Sequence, residues 1–232
     1  MTIWIVGDTE TTGVKTTDKV VEIAWKHVNP ETLEVITEGY SLINPQMEIP
    51  VDSSAVHGIM TADVANAPTI EEYMAGEGKI LTSENVILVF HNATFDMRFL
   101  QPHLHETAQP LCTLKCARQL FPDSPNHKQA TLALYLGYQV DRSKAHSADG
   151  DLDVLMFIIK HLCEKKGVAL PGLLEVQCEA RRNTTFPFGK HKGKKPSEVD
   201  VGYCQWALKT LENLDADLRA ALEARTKPQT TL

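Results

Sequence analysis

The stretch TIWIVGDTETTG, residues 2–13, sets an apolar run directly against two acids. Along a strand, residues i and i+2 point to one side, so Asp8 and Glu10 aim at the same point in space. Two carboxylates held there repel unless a proton or a cation lies between them. Such a strand restricts the fold. Either the pair faces solvent ahead of a turn, or further groups converge on it. Taken alone the stretch permits both, and a metal site requires more acids from elsewhere in the chain.

The rest of the chain supplies the frame. KVVEIAWKHV and LEVITEGYSLI are β-branched, partly alternating runs separated by NPET, a turn signal, and predict a strand meander. NVILVF (85–90) predicts another short central strand. Helical spacing follows in TFDMRFLQPHL, TLKCARQLF and QATLALYLG, and then in the longest helical run, DLDVLMFIIKHLCEKK, which ends in basic residues before Gly167. Strands alternating with helices predict an α/β domain with a mixed sheet. A boundary is expected near Gly167, giving a first domain over 1–167. A small, mainly helical module follows over 168–226, with amphipathic helices near 200–211 and 215–225 and a frayed tail over 227–232.

Several candidate chemistries fail on spacing. HETAQ at His105 begins like a zinc-protease helix, but its fifth position is Gln109 rather than His. GKHKGKK lacks the glycine spacing of a phosphate loop and has Lys195 where a Ser or Thr would hold magnesium. Cys112 and Cys116 can share a helix face, yet no second pair stands at ligand spacing, and two buried thiols are the expectation. Five cysteines with irregular spacing do not make a disulfide framework. No apolar run approaches the ~20 residues that span a bilayer. The start of the chain carries no leader-like pattern, so a cytoplasmic protein with no membrane association is expected.

Three acidic stretches remain: DTE, then HNATFD ending in Asp96, then HSADGD from His146 to Asp151. Singly, the second is an ordinary acid in a first helical turn and the third an N-terminal cap cluster. As a set they offer four carboxylates, Asp8, Glu10, Asp96 and Asp151, and the imidazole of His146, each at the end or beginning of an element.

In order and composition, DTETTG, HNATFD and HSADGD resemble the three motifs of the DEDD 3′→5′ exonucleases, a superfamily that includes epsilon proofreading subunits, ribonuclease T and oligoribonuclease. The resemblance covers roughly residues 1–165. The first motif falls on Asp8 and Glu10, the second on Asn92 and Asp96. In the third, His146 stands five residues before Asp151 and Ser147 occupies the slot of the tyrosine subtype, so the chain is similar to the histidine subtype. VHGIM, with His57, resembles a family segment beside the 3′ end of the substrate. NTTFPFGKHKGKKPSEV followed by GYCQWAL resembles the tail of the exodeoxyribonuclease X group.

The resemblance implies a ribonuclease H-like mixed β-sheet flanked by helices. It also implies two divalent cations, Mg²⁺ or Mn²⁺, on Asp8, Glu10, Asp96 and Asp151, oxygen ligands that suit such hard ions. His146, with an ordinary pKa of ~6.5, is then the general base. The expected reaction is hydrolysis of the terminal phosphodiester, releasing 5′-nucleotides from single-stranded or frayed DNA 3′ ends in repair or proofreading, beside a possible polymerase or repair partner. A 3′→5′ exoribonuclease is the alternative within the enzyme class. A non-catalytic nucleic-acid-binding relative is the alternative outside it, and the intact acid set argues against that. Thr11, Thr12 and Gly13 are expected at the terminal sugar, because Gly13 imposes no side chain, and His57 and Asn92 nearby.

Charge adds one more expectation. The chain carries −7, yet residues 181–195 hold six Lys/Arg and no acid, so the remainder carries −13. An acidic body with one cationic strip meets a polyanion through the strip. Lys190, Lys192, Lys194 and Lys195 are therefore expected to contact the nucleic-acid backbone.

Overall fold

A computed structural model describes residues 2–139, 148–182, 184–186, 188–211, 214 and 216–227. Five strands among them form one sheet: β1 (Ile3–Thr11), β2 (Val20–Val28), β3 (Val35–Leu42), β4 (Val86–Phe90) and β5 (Gln109–Cys112), in the order β3-β2-β1-β4-β5. The β1–β2 and β2–β3 pairs are antiparallel, and β1–β4 and β4–β5 are parallel. This is the mixed sheet expected from the sequence.

The helices are α1 (Val51–His57), α2 (Ile70–Ala75), α3 (Ala93–Leu100), α4 (Thr113–Leu120), α5 (Gln129–Tyr135), α6 (Ala148–Lys166), α7 (Leu173–Arg182), α8 (Val201–Thr210) and α9 (Ala216–Thr226). Among them α3 packs on β4 and β5. Ile5, Ile23 and Trp25 of the sheet join Leu88 and Phe90, Tyr73 and Met74 of α2, and Met97, Phe99 and Leu100 of α3 in one buried cluster. The Trp25 indole N–H donates to the Tyr73 hydroxyl at 2.8 Å, so even this polar pair inside the cluster is satisfied. α6 packs on β1 and β2 and buries Leu152, Leu155, Ile158, Ile159 and Leu162.

One detail of the pairing positions the site. The ladder between β1 and β4 ends at Val6, opposite Val89, whereas β1 stays paired with β2 through Thr11. Gly7 to Thr11 therefore project past β4 with one side of the strand unpaired by sheet. Crevices beyond the carboxyl ends of parallel strands are where α/β folds place ligands. β1 runs through Asp8 and Glu10 to Thr11. The register of β2 slips next to Glu10, where Thr11 pairs with Val20, a bulge of the kind that re-aims side chains.

The chain divides into two compact units, 1–174 and 175–232. α6 is closed by Gly167, and the segment after it stays with the first unit, where the Leu170 N–H donates to the Pro30 carbonyl at 3.1 Å. The second unit has its own core of Phe186, Val199, Cys204, Ala207, Leu218 and Leu222. Residues 228–232, most of the expected tail, lie outside the described residues. No helix among the described residues is long and apolar enough to cross a membrane.

Candidate metal centre

The strand period turns Asp8 and Glu10 to one side of β1, and the first turn of α6 brings Asp151 to them. Ligand atoms of Asp8, Glu10 and Asp151 all lie within 4.8 Å of one another. Two polar contacts fix that turn. The Gln129 side-chain amide of α5 donates to the Asp151 carbonyl at 2.8 Å. Lys26, buried in β2, forms an ion pair with Asp153. Asp153 is thereby committed to the sheet, while Asp151 is left to the acid cluster.

Asp96 arrives differently. Asn92 follows β4 with a positive φ of 76° and reverses the chain into α3, a conformation that asparagine tolerates better than most residues. One turn later Asp96 is 4% exposed, and its Oδ1 accepts a 2.8 Å hydrogen bond from the Thr9 hydroxyl. It is not among the three acids whose oxygens fall within 4.8 Å, but it lies close enough to raise both Asp8 and Glu10.

The cost of this assembly is visible in its protonation. Burial, then the charges of Asp96, Glu10, Asp151 and Glu22, hold the Asp8 carboxyl well above the usual range. Burial and the charges of Glu22, Asp151 and Asp96 push Glu10 up to about 7. Burial also lifts Asp96 to about 7, against the opposing hydrogen bond from Thr9. Desolvated like charges are costly unless something positive sits among them, and all the donors are hard oxygens. The residues present thus fit a divalent cation such as Mg²⁺ or Mn²⁺.

Glu22 is a functional candidate that the sequence reading missed. It is 4% exposed, pairs opposite Glu10 across the β1–β2 ladder, and accepts a 2.6 Å hydrogen bond from the Tyr40 hydroxyl. An acid inside VVEIA, an otherwise apolar strand, was the available signal.

The expected substrate contacts cluster at the end of β1. The Thr11 hydroxyl donates to the Gly13 carbonyl at 2.7 Å, and the Thr12 carbonyl accepts from Ser53 of α1 at 2.8 Å. Thr12 also accepts the Lys19 N–H on its hydroxyl at 3.0 Å, so these side chains serve the turn itself. At Gly13 the Asp18 carboxylate fills the place a Cβ would take. His57 at the end of α1 is buried. Its Nδ1 accepts from the Ile59 N–H at 3.1 Å and its Nε2 has no hydrogen-bond partner. Burial holds this imidazole below its usual pKa, against the raising effects of Glu22 and the Thr11 carbonyl. A neutral ring that accepts at Nδ1 carries its proton at Nε2. His146 and Ser147 lie outside the described residues. Lys190, Lys192, Lys194 and Lys195 belong to the second unit.

The thiols behave as expected for a core. All five cysteines are free, and burial together with Cys112 pushes the Cys116 thiol up to about 12.

Comparison with known proteins agrees with this geometry. Residues 5–158 match the RNase_T family, described as exonuclease. The chain is 29% identical over 228 residues to exodeoxyribonuclease 10 of Escherichia coli K12, covering 93% of this chain and 95% of that one. It is 31% identical over 156 residues to the DNA polymerase III epsilon subunit of Treponema pallidum, covering 64% and 71%. Exonuclease X in complex with 5′ overhanging duplex DNA superposes with a TM-score of 0.62 at 25% identity, over 75% of this chain and 99% of that one.

Proposed function

Because the chain belongs to the RNase T-type exonuclease family, we propose that it is a divalent-metal-dependent 3′→5′ exodeoxyribonuclease that releases 5′-nucleotides from single-stranded or frayed DNA ends. The observation that carries this reading is the convergence of Asp8, Glu10 and Asp151 within 4.8 Å, with Asp96 raising two of them. DNA as the substrate is supported by the names of the relatives, an exodeoxyribonuclease, a DNA polymerase subunit and an exonuclease bound to DNA. Repair or proofreading, with a polymerase or repair assembly as partner, is the setting that such relatives suggest.

Asp8, Glu10, Asp96 and Asp151 would hold the cations, two in number on this reading. Bound there, Mg²⁺ or Mn²⁺ supplies an activated water and charge neutralisation at the scissile phosphate. The chain does the remaining work. Thr9 orients Asp96 through its hydroxyl, and Gln129 and Lys26 fix the turn that presents Asp151. His57 offers a buried Nε2–H at the edge of the site, suited to a hydroxyl or phosphate oxygen of the terminal nucleotide. His146 takes the proton of the attacking water, which an imidazole can do near neutral pH. The lysines of residues 190–195 attract the phosphate backbone.

Digestion of matched 5′-labelled DNA and RNA oligonucleotides, with Mg²⁺ or with chelator, tests the reading. Stepwise shortening of the DNA from its 3′ end, lost with chelator, is the expected result. Faster shortening of the RNA would transfer the proposal to an exoribonuclease.

A further inference from the structure

In the second unit Lys190, Lys192 and Lys194 are carried on a compact loop between α7 and α8. The Phe186 N–H donates to the Lys194 carbonyl at 2.9 Å, and the Gly193 N–H donates back to the Phe186 carbonyl at 2.8 Å, so the two ends are tied together. Phe186 is fully buried and anchors the loop in the unit's core. Gly189, at a φ of 67°, passes so close to the Tyr203 hydroxyl that a Cβ would stand 3.0 Å from it, which explains a glycine there. Lys190, Lys192 and Lys194 are exposed, and among the described residues no carboxylate pairs with any of the three.

Aromatic rings run alongside these lysines. The Lys190 ammonium lies 5.2 Å from the centre of the Tyr203 ring, and His191 meets the same ring edge-on at 4.5 Å. Tyr203 and Trp206 stand three residues apart on α8 and so share a face, with ring centres 5.1 Å apart and tilted by 41°. Trp206 is 47% exposed, whereas the other two tryptophans, Trp4 and Trp25, are 4% and 6% exposed. A half-exposed indole at the end of a row of rings, beside three ammonium groups that no carboxylate of the described residues pairs with, combines the two elements of a single-strand nucleic-acid surface: a ring that accepts a base face and cations that follow the phosphates.

We propose that this face of the second unit is a binding site for single-stranded DNA, in which a base stacks on Trp206 and Lys190, Lys192 and Lys194 contact the neighbouring phosphates. The proposal rests on the nucleic-acid reading above and adds to it a binding face made of residues of the second unit, with a stacking residue and a preference for unpaired bases. A duplex keeps its base faces stacked on one another and offers Trp206 nothing to cover. Of the occupants such a face can take, a nucleic acid is favoured by charge, since residues 189–195 carry four lysines and no acid, and DNA by the names of the relatives.

Tryptophan emission of the intact chain gives a direct test, with chelator present to prevent hydrolysis. The probes are a single-stranded deoxythymidine oligomer, its ribo counterpart and a DNA duplex of equal length. The oligomer is expected to quench the emission saturably, and the quench is expected to vanish in Trp206→Phe. By fluorescence anisotropy, Trp206→Ala should bind the single strand about 5- to 150-fold more weakly, the range for one base–aromatic stack. Trp206→Phe should bind nearly as wild type, since a phenyl ring still stacks. Absence of the quench, or equal loss of duplex and single-strand affinity in Trp206→Ala, would overturn the proposal, as would tighter binding of the ribo-oligomer. Because Trp206 is exposed, its replacement should leave the melting temperature in place, which separates lost stacking from lost folding. Hydrolysis in Mg²⁺ is measured separately. A chain that shows the quench but does not shorten DNA would end the exonuclease reading and leave the stacking site standing.

Discussion

Glu10 and Glu22 are register partners across the β1–β2 ladder, two acids set opposite each other at the edge of the acid cluster. Glu22 is, after burial, the largest influence holding Glu10 near 7. Glu22→Gln keeps an acceptor for the Tyr40 hydroxyl but removes that charge. The Glu10 carboxyl should then ionise more easily, and the pH midpoint of Mn²⁺ binding should move downward. At pH 8 the metal-free variant should melt higher than wild type, by ~2–4 °C for each ~1 kcal/mol of repulsion relieved. Calorimetric Mn²⁺ titrations and thermal melts check both, and an unmoved midpoint would separate Glu22 from the site.

The raised carboxyls also set how stability depends on pH. Glu10 has a folded pKa of about 7 against an ordinary 4.5. Between those values the folded chain holds more protons than the unfolded one, so stability falls as pH rises. The penalty is absent below 4.5 and complete above about 7. Asp8 and Asp96 shift in the same direction. Melting of the metal-free protein should therefore drop by several degrees from pH 5 to 8. Mg²⁺ or Mn²⁺ should restore it, most strongly at the upper end, because the cation binds the ionised acids. Melts with and without chelator across that range measure the effect.

Thr9→Val tests the role of a single hydroxyl. The variant is nearly isosteric but removes the 2.8 Å hydrogen bond to Asp96, leaving a buried carboxylate without the donor that favours its charged form. Groups that support metal ligands in this way are typically worth ~10–100-fold. Turnover should fall by about that factor at low Mg²⁺ and partly recover at high Mg²⁺. Wild-type turnover at every Mg²⁺ concentration would remove Thr9 from the mechanism.

His146→Ala should slow hydrolysis by roughly 10²–10⁴, the range for a lost general base. Affinity for metal and for DNA should change far less. Single-turnover rates and binding constants measured together separate the two effects.

The site was legible in the sequence where its chemistry is local. Asp8 and Glu10 are two residues apart on one strand and Asp151 stands where the longest helix begins, and the resemblance of the three acidic motifs to the DEDD exonucleases is what joined them into one site. Long-range partners were not. Glu22 stands out as an acid in an apolar run, but no local pattern joins it to Glu10, which it meets only through antiparallel register. Lys26 and Asp153 are 127 residues apart, and no local pattern joins them. The meander, β4 and α6 were readable because their apolar periods are long or pure. β5 is four residues with Pro110 among them, a composition that argues against a strand except at a sheet edge, which is where it lies. α1 and α2 are too short to show a helical period and were passed over, although α1 supplies Ser53 and His57.

The most direct test is the digestion of a 5′-labelled DNA single strand by wild type and by Asp8→Ala. In Mg²⁺ the wild-type protein should give a ladder of labelled products, each one nucleotide shorter than the last. Chelator should abolish the ladder, and Asp8→Ala should lose it by far more than the ~10–100-fold typical of supporting residues, while melting no lower than the metal-free wild type. A ladder that persists in chelator or in Asp8→Ala would contradict the account, and so would release of the label as a mononucleotide at the earliest times.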